Sequence, residues 1–221
     1  MTEKKKKPVT VLLMIILILM LCVMTLSVVN IYKLRMSGAS NADMVESTTV
    51  ENEYKNSLYK IGNNATDVNK KYFKELNTAV KSDDRQSMAE AVVKCFVSEY
   101  YTWTNKDGNY DIGGMQYIYP DRQNDFATYS RDNFYSSMDN YLHSNERSSL
   151  IEVDQVSINS CESSSINVMN ANNETITYPS YVINASWTYV SGSVMNTTNI
   201  QSSASFTMID HDGRIEIASI Q

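Results

Sequence analysis

The chain has 221 residues with 19 Lys and Arg against 25 Asp and Glu, a formal net charge of −6. From residue 37 onward the imbalance sharpens to 13 basic against 24 acidic side chains, a net of −11, and from Asp132 to the end only Arg147 and Arg214 are basic. Nucleic-acid binding needs a basic face that displaces counterions from phosphates, so this composition excludes a direct grip on DNA or RNA.

The opening residues include Lys4, Lys5, Lys6 and Lys7, after which the chain turns apolar. From Val9 to Val29 the only polar side chains are Thr10, Thr25 and Ser27. Such a run makes roughly 31 Å of helix, the thickness of a bilayer's hydrocarbon core. A cleaved signal peptide has an apolar region of only about 7 to 15 residues. We therefore expect a retained transmembrane helix over 9–31, behind a cytoplasmic tail at 1–8. Four lysines precede the helix and only Lys33 and Arg35 follow it, which keeps the N-terminus in the cytoplasm and places the rest outside the cell membrane. Residues 32–66 then read as a stalk, small and polar over 37–50 and open to a helical extension over 51–62.

The folded domain is expected over 67–221. A first helix begins near Asp67, with Val68, Tyr72, Phe73, Leu76 and Val80 at spacings of three and four. A second follows Ser82 as N-cap, with Asp83 and Asp84 in its first turn and a stripe of Met88, Val92, Cys95, Phe96, Tyr100 and Trp103. A third begins after Asn124 and carries Phe126, Tyr129, Phe134, Met138, Tyr141 and Leu142 on one side. After about residue 148 the period falls to two. Ile151 and Val153 alternate, then Val156 and Ile158 in the opposite phase, which predicts a bulge near Asp154 and Gln155. A weak strand over Ser163–Met169, a turn at 170–173, a strong strand over Tyr181–Val190, another over Ile200–Ile209 and a last one around Ile215 complete the sheet. Asp210-His211-Asp212-Gly213 is the expected hairpin turn. The fold class is α+β: two or three helices packed on a curved antiparallel sheet of four or five strands.

Chemistry-bearing patterns are sparse. His143 follows a helix and His211 sits in a turn, without the spacing of a metal pair. Asn105, Asp107, Asn109 and Asp111 alternate like the start of a calcium loop, but Gly108 is misplaced and Ile118 stands where a bidentate Glu would close the site. Gly113-Gly114 lacks the Lys-Ser/Thr of a phosphate loop. Four Asn-x-Ser/Thr sequons, at Asn64, Asn173, Asn184 and Asn196, are what 22 asparagines yield by chance. Cys95 reads as a buried thiol, and a pair with Cys161 is the alternative. The residues expected inside the domain, among them Cys95, Phe96, Ile183, Trp187 and Phe206, are apolar, with no acid or base among them. Neither a catalytic residue nor a cofactor or metal is expected. The cluster Tyr100, Tyr101, Tyr110, Tyr117 and Tyr119 is read either as core or as a partner contact.

Phe96-Val97-Ser98-Glu99-Tyr100-Tyr101, followed by Tyr110-Asp111, resembles the aromatic–x–x–acidic–aromatic helix end of the bitopic scaffold subunit of type IV secretion systems. The TcpC-like conjugal transfer proteins of Gram-positive elements belong to that group. Phe126 to Tyr141 resembles its next helix, and the order of tail, anchor, stalk, helices and sheet matches throughout. Ser98 departs from the pattern, which has a basic residue there. The resemblance implies a cone-shaped domain similar to nuclear transport factor two. It also implies a non-catalytic scaffold of a conjugative machine that self-associates and contacts other membrane subunits of the secretion channel. Two alternatives stand beside it: an anchored scaffold of the cell envelope, sporulation or division, and a ligand-binding or enzymatic cone.

Overall fold

The computed structural model describes residues 55–169 and 173–221. The tail, the apolar run and residues 32–54 of the expected stalk lie outside the described residues, as does most of the turn at 170–173. Among the described residues no helix is long and apolar enough to cross a membrane.

Among the described residues four α-helices precede a four-stranded antiparallel sheet: α1 Asp67–Ser82, α2 Arg85–Tyr100, α3 Gln123–Asp132 and α4 Met138–Ser144, then β1 Val153–Met169, β2 Thr175–Tyr189, β3 Ser203–His211 and β4 Arg214–Ile220. The sheet is a plain meander in the order β1-β2-β3-β4. Helix α2 lies against β1, β2 and β4, and α1 covers α2 and the start of β1. The core between them holds Phe73, Leu76, Val92, Phe96, Ile183, Phe206, Met208 and Ile217, all with essentially no exposure. Burying that many large apolar side chains is the main favourable term in the fold.

Local chemistry sets the helix ends. Thr66 caps α1 by accepting from the Asn69 amide at 3.3 Å while the Asn69 side chain accepts from the Thr66 amide at 3.0 Å, a reciprocal box. The boundary between α1 and α2 differs from expectation. Ser82 is the last residue of α1, Asp83 closes it in the left-handed conformation at φ 52°, and Asp84 is the N-cap of α2, accepting from the Ser87 amide. An aspartate tolerates that conformation and so does the work usually given to glycine.

Three further elements differ. The expected third helix is broken in two, because the chain turns over 133–137 to bury Tyr135, whose hydroxyl donates to the Tyr100 carbonyl at 2.7 Å. Among the described residues the domain therefore has four helices where two or three are expected. The weak strand over Ser163–Met169 is the far half of one 17-residue strand, β1. The predicted bulge lies between Val153 and Gln155, and a second lies between Ile158 and Ser160. Finally, Lys55–Gly62, assigned to the stalk, packs on the domain without forming a helix: Lys55 bridges to Lys60 and Tyr59 is in the core. At the β3–β4 hairpin Asp212 and Gly213 both take positive φ, at 49° and 79°, as a two-residue turn of the primed type requires.

Candidate functional site

The last turn of α2 sends three successive side chains in three directions. Glu99 points into the loop that follows the helix, Tyr100 into the aromatic cluster of α3 and α4, and Tyr101 toward the sheet.

Glu99 is only 3% exposed. Its Oε1 accepts from the Gly62 amide at 3.2 Å and the Tyr117 hydroxyl at 3.3 Å, and its Oε2 from the Gly114 amide at 3.2 Å and Gln116 Nε2 at 2.7 Å. A carboxylate offers about four lone-pair sites, so this one is filled. Burial raises its pKa above the ordinary value, against the lowering pull of the Gln116, Gly62 and Gly114 hydrogen bonds and of Lys106. Gly114, at φ 76°, is the residue that lets the loop turn beneath the helix, and a Cβ there would strike the Phe96 ring at 2.7 Å. Beside Glu99, Lys106 is also 3% exposed and donates to Asn105 Oδ1 at 2.6 Å. Burial lowers its pKa, with Glu99 and Asp111 pulling the other way. Both charges line a cavity of about 250 Å³ together with Lys60, Asn63, Asp111 and Gln116.

The expectation of an apolar interior is thus corrected at these two residues, and at Glu216 of β4, 4% exposed and paired with Arg214 at 2.9 Å. Glu99 was legible: it falls at i+3, i+4 and i+7 from Phe96, Cys95 and Val92, on the buried stripe itself. It also stands in the last turn of a helix, where the macrodipole disfavours an acid. A carboxylate held there despite both terms is one that the fold ties down. Lys106 carries no such signal in the sequence.

Tyr100 and Tyr101 form the floor of a larger groove of about 420 Å³, walled by Phe126, Tyr129, Phe134 and the end of β4 from Ile217 to Gln221. Tyr100 stacks on Phe134 at 5.4 Å and donates to Ser130 Oγ at 3.1 Å. Tyr101 packs on Trp187 at 4.5 Å and donates to Gln201 Oε1 at 2.8 Å. Burial pushes the Tyr100 phenol up to about 12.

The five tyrosines do not share one surface. Tyr100, Tyr101 and Tyr117 belong to the core, Tyr119 is half-buried edge-on against His211 at 5.7 Å, and Tyr110 alone is open, at 70%. Tyr129, expected on the inward side of a helix, is 64% exposed at the groove wall. A partner reaching this region meets Tyr110 and Tyr129 and not the three buried rings.

The remaining patterns have internal partners. Asp107 pairs with Arg147 at 3.0 Å, Asp111 accepts from the Asp107 amide at 3.0 Å, and Asn105 is taken by Lys106. The Gly113 amide donates to the Tyr135 hydroxyl at 3.2 Å. His143 bonds the Asp139 carbonyl at 2.7 Å. Cys95 and Cys161 are both free thiols, the first buried.

No family model, curated protein or solved structure matches the chain.

Proposed function

We propose that this chain is a non-catalytic, membrane-anchored assembly scaffold of a conjugative or type IV secretion machine. Its extracytoplasmic domain acts through contacts with other membrane subunits and with copies of itself. The observation that carries this reading is the saturation of Glu99. Among the described residues two acids are buried: Glu99 holds the 62 and 113–117 segments against α2, and Glu216 accepts from Arg214 Nε at 2.9 Å, so the chemistry of both serves the shape of the domain. The acidic exterior supports contacts with proteins and opposes contacts with nucleic acid. The order of parts, a basic tail, an apolar run and then an acidic α+β domain, supports an anchored assembly factor.

One observation favours a second reading, a ligand-binding cone: the 250 Å³ cavity contains Lys106, whose ammonium has three donors and a single acceptor among the described residues. The two readings separate on a pulldown with chemical crosslinking from native membranes. The tag belongs at the N-terminus, because Gln221 pairs with Ser205 in both directions at 2.9 Å and lines the larger groove. Co-purification of secretion-channel subunits supports the scaffold. Recovery of only envelope-synthesis, sporulation or division proteins overturns the conjugative assignment. Unchanged recovery of channel subunits by Lys106→Met sets the cavity aside.

A further inference from the structure

Both edges of the sheet are stopped by tyrosine hydroxyls. On β4 the Tyr59 hydroxyl accepts from the Ile215 amide at 2.7 Å and donates to the Ile215 carbonyl at 3.0 Å. On β1 the Tyr72 hydroxyl accepts from the Val156 amide at 2.8 Å and donates to the Val156 carbonyl at 3.4 Å. In each case one phenol takes the place of a neighbouring strand. The segment around Ile118 covers the next residues of β4, with the Tyr119 amide on the Ile217 carbonyl at 2.9 Å. Nothing equivalent follows Val156. Among the described residues, no segment bonds the backbone of the outer edge of β1 from Ser160 to Met169.

An open edge is normally guarded by Lys, Pro, a bulge or a cover. Ser160–Met169 has no Lys and no Pro, and the bulge between Ile158 and Ser160 ends where the open stretch begins. It is also poor in charge. Glu162 is its single charged residue, and the paired stretch Thr175–Ile183 of β2 has none, in a chain whose residues from 37 onward carry a net of −11. A basic partner would be drawn to the other acidic residues of the domain, since this stretch offers it Glu162 alone. A second copy of this chain carries the same acidic excess, and meets little repulsion at this arm.

We propose that two copies of the chain join β1 to β1 across a two-fold axis, in an antiparallel pairing centred on Ser164 or Ser165. The axis stands perpendicular to the joined sheet, so each residue faces one of the same face parity and the central serine faces itself. Glu162 then lies opposite Ile166 or Val168, and no like charges oppose each other. Met169, 66% exposed at the end of the stretch, gains a neighbouring chain. This inference rests on the scaffold reading and names its self-contact surface.

The test uses the full chain in membranes, in a background carrying Cys22→Ala and Cys161→Ser. Ser164→Cys and Ser165→Cys, oxidised separately, are expected to give a disulfide-linked dimer at one position, since facing Cα atoms across such a pair are about 4.5 to 5.5 Å apart. Ser191→Cys, exposed in the β2–β3 connection, is expected to give none. Equal crosslinking at Ser191, or none at either edge position, overturns the proposal. Independently, Ser164→Lys with Ser165→Lys is expected to weaken dimerisation in detergent about tenfold or more, read by light scattering; an unchanged dimer also overturns it. A failed crosslink beside recovered channel subunits removes this surface and leaves the scaffold standing.

Discussion

Glu99 has a thermodynamic signature that its geometry makes specific. Its folded pKa lies above its ordinary value of 4.5, chiefly through burial. The folded state therefore holds its proton more tightly than the unfolded state. The stability from this linkage is fully present below the unfolded pKa and is lost as pH rises through the folded one. Glu99→Gln removes that slope, so the advantage of the wild type over the variant should shrink as pH climbs above 4.5 in urea titrations of the detergent-solubilised chain. At neutral pH the variant should still cost about 2 kcal/mol, because its amide group meets donors where acceptors are needed. Gly113→Ala tests the same contact from the other side. A Cβ there would stand 2.2 Å from the Glu99 carbonyl oxygen and 3.0 Å from Lys106 Cε. The backbone cannot yield by that much without parting the loop from α2, and a loss of about 3 kcal/mol is expected by thermal unfolding.

At the scale of elements, the tyrosine stops make a separate prediction. Tyr72→Phe leaves the Val156 amide and carbonyl without partners at a buried edge, and Tyr59→Phe does the same at Ile215. Each should cost about 1 to 3 kcal/mol. Native-state hydrogen exchange should show faster exchange confined to the Val156 amide in one variant and the Ile215 amide in the other. The elements themselves were largely legible. The apolar stripe of α1, the change of period after residue 148, the Asp212-Gly213 turn and the first bulge all follow from side-chain spacing. The break between α3 and α4 was not, since it depends on Tyr135 reaching the carbonyl of Tyr100, a contact 35 residues distant in sequence. Nor was the role of Tyr59. A single tyrosine before the first helix carries no local sign that its hydroxyl will end a sheet 156 residues later. At the site, the Tyr-rich segment was read as one cluster, but a helix end fans its residues outward, and only Tyr110 emerged exposed. Glu99 could be found on the stripe, whereas Lys106 could not.

For the molecule as a whole, the acidic surface predicts how association responds to salt. Copies with a net of −11 from residue 37 onward repel one another, and added salt screens that repulsion. Dimerisation through a charge-poor arm should strengthen between about 0.05 and 0.5 M NaCl in light-scattering measurements, where an ion-paired interface would weaken. The segment Lys55–Gly62 has a mechanical consequence. It is the first part of the described fold that the chain from the expected anchor reaches, so tension arriving along the chain enters there. Asn56 Nδ2 meets it first through Asn77 Oδ1 at 2.6 Å, then the Leu58 carbonyl held by Arg214, then Tyr59 at the β4 edge, then Gly62 on Glu99. Four fasteners in series open one at a time and from the end that is pulled. A force on the tether would lift this strap stepwise, uncovering the edge of β4 at Ile215 before it strains the sheet.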